Sequence, residues 1–290
     1  MEVASEAVSS RTNARVKQLR AAFAENHRLS AGLVAIEGEH LVEEALRSAI
    51  VPRTLFLAGD RLPPQNLPRK TEIVRLTASL FASVAETRSP QGIAALIEPP
   101  VHLLAPLLAR ETSPLLLIAV GLQDPGNLGT IIRSAEAFGA SGVLITPGTV
   151  NPWNQKALRA SVGSTFRTPV IATSKEEIAQ LQSARNIHLF AAVGAAHGDV
   201  VAAHDANLRQ PTGILIGNEG SGLAPEWLTL ASSRITIPCP GPVESLNAAI
   251  AASLLLYEAS RQRSSSTPQT VEANAPIPGP LRRRPTGATR

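Results

Sequence analysis

The amino-acid sequence predicts an α/β protein, a small α/β unit followed by a parallel sheet with helices on both faces. Two observations predict it. From residue 113 onward, apolar runs of strand length at 115–120, 142–146, 188–193, 213–216 and 234–237 alternate with stretches of helical spacing. Continuous apolar strands separated by helices are what a parallel sheet buried on both faces requires. In addition, three of these runs are followed at once by clusters of small, polar or charged residues. An open parallel sheet carries its ligand-facing loops there, at the carboxyl ends of its strands.

The elements follow in order. Residues 13–24 have helical spacing, with Val16, Leu19 and Phe23 on one face and Arg11, Arg15, Lys17 and Arg20 off it. A short strand ends at Ile36-Glu37-Gly38, a helix covers 40–49, and a strand covers 53–58. Ser89-Pro90-Gln91-Gly92 is a turn before a strand at 93–97, and Pro99-Pro100 opens a linker. The expected division is a first domain over 1–98, a linker over 99–113, a second domain over 114–260 and a tail over 261–290. Helices of the second domain are expected near 128–138, 154–162, 175–184 and 224–231, with a long final one over 246–260.

Composition excludes several classes. No apolar run reaches the roughly 18 residues of a membrane span, and the acidic start, Met-Glu-Val-Ala-Ser-Glu-Ala, has no apolar signal core. A lone cysteine, Cys239, and six scattered histidines leave neither a disulfide framework nor a metal site. A cytoplasmic protein without metal or membrane is expected. Residues 261–290 hold Arg261, Arg263, Arg282, Arg283, Arg284 and Arg290 against Glu272. Subtracting them from the chain's 27 basic and 23 acidic residues leaves 21 and 22, so the net charge of +4 belongs to this tail. Rich in Pro, Ser and Thr and without aromatics, the tail is expected to be disordered. It either contacts phosphates or serves only as a solubilising terminus.

The three loops carry the chemistry. In Asp124-Pro125-Gly126-Asn127-Leu128-Gly129 the glycines allow a tight turn into a helix, and Arg133 lies further along it. The spacing is neither a dinucleotide fingerprint nor a P-loop. Arginine suits a bidentate grip on phosphate, although it could equally sit on the surface of an amphipathic helix. Gly217-Asn218-Glu219-Gly220-Ser221-Gly222 lets the backbone approach a ligand closely, or is a structural turn. In the third loop, Pro238, Pro240 and Pro242 stiffen the chain. Ser245 sits where a helix N-cap belongs, and Asn247 falls one turn into an apolar helix, at a cost in propensity that suggests a ligand-facing side chain.

These motifs, in this order, closely resemble the SpoU/TrmH-type RNA 2′-O-ribose methyltransferases of the SPOUT superfamily. The resemblance spans residues 115–257 and includes Lys156-Ala157-Leu158-Arg159-Ala160-Ser161-Val162-Gly163-Ser164 with Phe166 and Pro169. The first unit resembles the ribosomal-protein-like substrate-binding domain that often precedes it, through Asn13, Lys17, Arg28, Glu37-Gly38, Leu41-Val42 and Pro90-Gln91-Gly92. Cys239 departs from the usual methionine.

The resemblance implies a C-terminal trefoil knot and a homodimer. It also implies S-adenosylmethionine held by Val193, Gly194, Gly217, Asn218, Gly220, Ile237, Pro238 and Leu246. Asn127, Arg133, Glu219, Ser245 and Asn247 would form the catalytic pocket, and Arg11, Asn13, Lys17 and Arg28 would touch RNA. Arg133 would either take the ribose proton or hold a phosphate. The separate first domain points to 23S ribosomal RNA, with transfer RNA as the alternative. A non-catalytic RNA-binding relative and a nucleotide-cofactor oxidoreductase are the rival classes.

Overall fold

The structure is a computed structural model and describes residues 7–24, 32–195, 198–243 and 245–264. The first domain runs α1 (Ala14–Ala24), β1 (Val34–Glu37), α2 (Glu39–Arg47), β2 (Thr54–Ala58), β3 (Glu72–Leu76), α3 (Ala78–Val84) and β4 (Ile93–Ile97). Its sheet has the order β1-β4-β2-β3, with β4 antiparallel to both neighbours and β2 parallel to β3. The two-residue period of a strand explains how both faces are filled. Phe56 and Leu96 meet α1 and α3 through Val16, Leu19 and Phe81. Their neighbours Leu55, Leu57, Ala95 and Ile97 meet Leu41, Val42 and Ala45 of α2 on the other face.

The stretch expected to be a linker is not one throughout. It forms α4 (Leu104–Ala109), and Leu108 is buried in the core of the second domain. Pro106 is tolerated because it falls in the first turn, where a backbone amide has no helical partner.

The second domain continues with β5 (Leu115–Ala119), α5 (Pro125–Ala137), β6 (Gly142–Ile145), α6 (Gln155–Ser161), β7 (Val170–Ala172), α7 (Lys175–Arg185) and β8 (His188–Ala192). It closes with β9 (Val201–Ala202), β10 (Thr212–Ile216), α8 (Pro225–Leu230), β11 (Ser233–Thr236) and α9 (Ala248–Ser264). The sheet order is β7-β6-β5-β10-β8-β11-β9, and every pair is parallel. Helices α5 and α9 cover one face through Leu128, Ile131, Ile132, Leu255 and Leu256. Leu108, Ile178, Leu181 and Trp227 cover the other. Because β5, β10, β8 and β11 are adjacent and parallel, the loops that follow them open along one edge.

The two domains share a junction built by α6. Leu158 and Phe166 pack into the cluster of Ile36, Leu41 and Leu55, and the buried Gln155 Nε2 donates to the Ala35 carbonyl at 2.7 Å. Gly163, at φ 86°, is required there, because a Cβ would lie 2.7 Å from the Cβ of Glu44. Arg167 bridges the domains, donating to Glu44 Oε2 at 2.8 Å and to Glu136 Oε2 at 3.1 Å.

The expected tail begins later than residue 261. Helix α9 runs to Ser264, with Gln262 buried. Arg263 donates to the carbonyls of Leu208 (2.8 Å), Ser113 (2.7 Å) and Gln210 (2.8 Å). These acceptors, with the Pro114 carbonyl at 3.4 Å as a fourth, explain why this arginine orders the helix end instead of joining a solvated tail. Arg282, Arg283, Arg284 and Arg290 lie outside the described residues. Arg263→Ala is expected to cost about 2–4 kcal/mol by leaving the Leu208 and Ser113 carbonyls without this donor, about 5–15 °C in Tm. Thermal melts against Arg261→Ala check this; Arg261 grips Glu258 from an exposed position, and its loss should leave Tm nearly unchanged.

Candidate active site

Asp124 opens the site. Its Oδ1 accepts the Asn127 amide at 3.0 Å and caps α5, with Pro125 in the first position. Its Oδ2 meets Lys156 Nζ at 2.8 Å. Lys156, then the Asn127 amide, hold this carboxyl below the usual carboxylate range. Gly126 and Gly129 do not make the turn that the sequence suggests; both lie inside α5. A Cβ on Gly129 would meet the Ala157 carbonyl oxygen at 2.3 Å, so this glycine serves the close approach of α5 to α6. The turn belongs to Gly121, at φ 62°. Its amide is shared between the hydroxyls of Thr146 (3.2 Å) and Thr149 (3.1 Å).

After β10 the chain closes on itself. Asn218 and Gly222 exchange amide-to-carbonyl bonds of 3.1 and 2.9 Å, and a Cβ on Gly217 would lie 2.3 Å from the Gly222 carbonyl carbon. The Asn218 side chain is consumed by architecture. Its Oδ1 accepts the amides of Gly220 (2.9 Å) and Ser221 (3.2 Å), and its Nδ2 donates to the Gly121 carbonyl at 2.9 Å. The glycine loop is thereby tied to the loop after β5.

Glu219, at the tip, joins them a second time. Its carboxylate accepts from the amides of Gln123 (3.2 Å) and Asp124 (3.1 Å) and from Asn127 Nδ2 (2.9 Å). Burial pushes this carboxyl up, but the bonds from Asn127 and the two amides outweigh it and hold Glu219 below the ordinary range. A depressed folded-state value means the stabilisation is present above the unfolded carboxylate value and lost as pH falls through the folded one. The junction should therefore stay assembled through neutral and mildly acid pH. A carbon-13 titration of the Glu219 carboxyl should give a midpoint below the ordinary carboxylate range; one above it would contradict this geometry.

Asn247 completes the chain of contacts, in a role other than the one expected. Helix α9 starts at Ala248, so Asn247 is not one turn inside it. Asn247 is itself the cap, its Oδ1 accepting the amides of Ala249 (2.9 Å) and Ile250 (3.3 Å). The expected cap, Ser245, is exposed, and none of the hydrogen bonds among the described residues joins it to the cluster. The Asn247 Nδ2 donates to Asn127 Oδ1 at 3.0 Å. Asn247, Asn127 and Glu219 thus form one hydrogen-bonded line across the three loops.

Arg133 is exposed on α5, and no hydrogen bond among the described residues engages its side chain. Of the residues expected to hold cofactor, Val193 and Gly194 follow β8, Gly217 and Gly220 follow β10, and Ile237, Pro238 and Leu246 follow β11. All lie at the same sheet edge. Gly217 is buried, Val193, Gly194, Ile237 and Leu246 are half-buried, and Gly220 and Pro238 are exposed.

In the first domain Arg11 and Lys17 are exposed at α1. Asn13 caps that helix, its Oδ1 accepting the Arg15 amide at 2.8 Å, so its oxygen is already engaged. Arg28 lies outside the described residues. Sequence reasoning missed Asp124, although an Asp-Pro pair is a helix-start signature. It also missed the part of Lys156, which no local signal discloses.

Comparison with known proteins gives this arrangement its relatives. The SpoU rRNA Methylase family matches residues 114–257, and the MRM3-like substrate binding domain matches residues 13–95. The 23S rRNA (guanosine(2553)-2′-O)-methyltransferase RlmP of Bacillus subtilis is 32% identical, over 86% of this chain and 97% of that protein. The 23S rRNA (uridine(2479)-2′-O)-methyltransferase of Streptomyces viridochromogenes is 34% identical, over 89% and 93%. Among solved structures, the SpoU methyltransferase AviRb from Streptomyces viridochromogenes, in complex with the cofactor AdoMet, superposes with a TM-score of 0.77 at 33% identity, over 87% of this chain and 99% of that one. With its two domains matched in order, and relatives covered almost end to end, the chain belongs to the SpoU rRNA methylase family.

Proposed function

We propose that this protein methylates a ribose 2′-hydroxyl of structured RNA, in 23S ribosomal RNA, with S-adenosylmethionine as donor. The observation that carries the reading is the line Asn247–Asn127–Glu219, which draws three loops at one sheet edge into a single cluster. Its relatives' action on 23S RNA supports the choice of target. The loops at Val193–Gly194, Gly217–Gly220, Ile237–Pro238 and Leu246 fit a nucleoside sulfonium. They present backbone and half-buried apolar side chains, and the Glu219 carboxylate is nearby to balance positive charge. When bound, the cofactor supplies the methyl group that becomes the ether.

The chain's own task is alignment of the hydroxyl, which dominates an in-line displacement, together with removal of its proton. Asn127 and Glu219 hold the loop geometry. Arg133, on the same helix as Asn127, either accepts the proton with the help of an RNA phosphate or clamps that phosphate. An arginine stays charged at neutral pH, which favours the clamp. Ser245 lies within reach of the cluster along the chain and completes the pocket when RNA is present.

A homodimer, and the trefoil knot of the SPOUT superfamily, belong to the same proposal. Ile250, Leu254 and Tyr257 of α9 are 52%, 43% and 53% exposed, an apolar stripe at helical spacing on the helix that Asn247 caps. Leu254→Glu should convert a dimer to monomer in sedimentation. The reading as a whole is tested by transfer of tritiated methyl to RNA from cells lacking the protein. Expected is incorporation into 23S RNA as a 2′-O-methyl nucleotide, and absence of transfer to any RNA would reject it.

A further inference from the structure

A cavity of about 670 Å³ is lined by none of the residues assigned a catalytic or cofactor-binding role above. It opens at the carboxyl ends of β6 and β7, the sheet edge that also carries the cluster, and the chain entering α4 forms its mouth. We propose that this cavity takes one unpaired nucleobase of the RNA, from a nucleotide flanking the methylated ribose, and so selects the site of methylation. The inference rests on the reading of the protein as an RNA methyltransferase.

Two short routes tie the cavity wall to the cluster. Thr149, in the wall, accepts the Gly121 amide at 3.1 Å, and the Gly121 carbonyl accepts Asn218 of the glycine loop. Trp153, also in the wall, lies three residues before Lys156, whose amine holds Asp124. A base seated here would therefore press on the backbone that positions Asn127 and Glu219.

The lining favours a neutral planar heterocycle. Trp153 offers an aromatic surface fixed by stacking on Phe166, with ring centroids 6.1 Å apart and planes inclined by 29°; splayed RNA bases stack on such rings. The buried His102 Nε2 in the wall has no hydrogen-bond partner among the described residues. Burial holds this imidazole below its usual pKa, and a turn of its ring toward the cavity would offer the unpartnered nitrogen to a base edge. No lysine or arginine lines the cavity, and Glu177 is its one acid. Phosphate is thus disfavoured inside. The exposed Val101 and Leu103 at the mouth, 72% and 65% accessible, give a base apolar surface to cover on entry. The volume falls in the range of about 300–1,000 Å³ typical of small-molecule sites.

The test fills the cavity from an exposed position in its wall. Ala172 is exposed in the wall, so Ala172→Phe occupies the space, and His102→Ala deletes the unpartnered nitrogen. Tryptophan emission is read in a Trp227→Phe background, which leaves Trp153 alone of the chain's two tryptophans. Single-stranded oligoribonucleotides of mixed sequence should quench Trp153 saturably, and Ala172→Phe should abolish the quenching. In methylation of 23S RNA, both variants should raise KM about 5- to 150-fold, the equivalent of one base–aromatic stack. Their melting temperature and their S-adenosylmethionine affinity by calorimetry should be unchanged. An unaltered KM in both variants, or quenching that survives Ala172→Phe, overturns the inference. If the wild type transfers methyl to no RNA yet shows cavity-dependent quenching, the function proposed above fails and the base site stands. Normal methylation without quenching has the opposite meaning.

Discussion

Arg133→Ala is expected to fold, to bind cofactor and to lose methyl transfer by about 10²–10⁴-fold, the usual contribution of proton handling in a transition state. Folding should be spared because Arg133 is exposed and its side chain makes no hydrogen bond among the described residues. Exposed substitutions of that kind usually shift stability by no more than about 0.5 kcal/mol. Cofactor affinity should be spared because the proposed cofactor loops follow β8, β10 and β11, whereas Arg133 stands on α5. Arg133→Lys separates the two roles. A phosphate clamp loses its bidentate grip but keeps its charge, so a raised KM for RNA with much of kcat retained is its signature. A proton acceptor would show its loss in kcat. Single-turnover methylation with cofactor binding measured in parallel decides, and Arg133→Ala activity within a few-fold of wild type would sink the assignment.

Gly129→Ala should destabilise the fold strongly, for a reason unconnected with ligand binding. The added methyl would sit 2.3 Å from the Ala157 carbonyl oxygen and 2.7 Å from the Ala160 Cβ. The first obstacle is backbone, which cannot swing aside as a long side chain can, so α5 and α6 must separate. Overpacking of a tight contact costs about 1–3 kcal/mol and occasionally more. Here the upper end is expected, with a fall of about 6–12 °C in Tm. Denaturation of Gly126→Ala gives the comparison. Its added methyl would meet side-chain atoms of Asp124 at 2.8 Å and Lys156 at 3.2 Å. Those ends can move, and helix propensity partly compensates. A Gly129→Ala variant as stable as wild type would show that the helices are not in this register.

The contrast between these glycines marks how far the sequence could be read. The central strands of the second sheet are legible because burial on both faces makes them continuous apolar runs, as in Leu115–Ala119. Strands β7 and β9, of three and two residues, are too short to show a period. Strand β3 exposes Glu72 and Ile73 and so interrupts its own pattern. At the site, residue types and order were readable, but the division of labour was not. Nothing local distinguishes Ser245 from Asn247 as a cap. Asn127, 120 residues away, engages the other end of the Asn247 amide, and that contact exists only once the sheet has formed. Gly129 reads as a turn glycine from its neighbours and as a packing glycine only when α6 is in place.

Helix α6 carries a final consequence. Gln155 grips the first domain through the Ala35 carbonyl, and the very next residue, Lys156, grips Asp124 in the catalytic loop. Successive residues of a helix point about 100° apart, so one short rod is the shared wall of two rooms. The first domain cannot swivel without dragging Lys156 and the loop it steadies. Where the protein holds RNA and where it modifies RNA are therefore set at a fixed span, and loosening the junction would blur target choice and weaken turnover together.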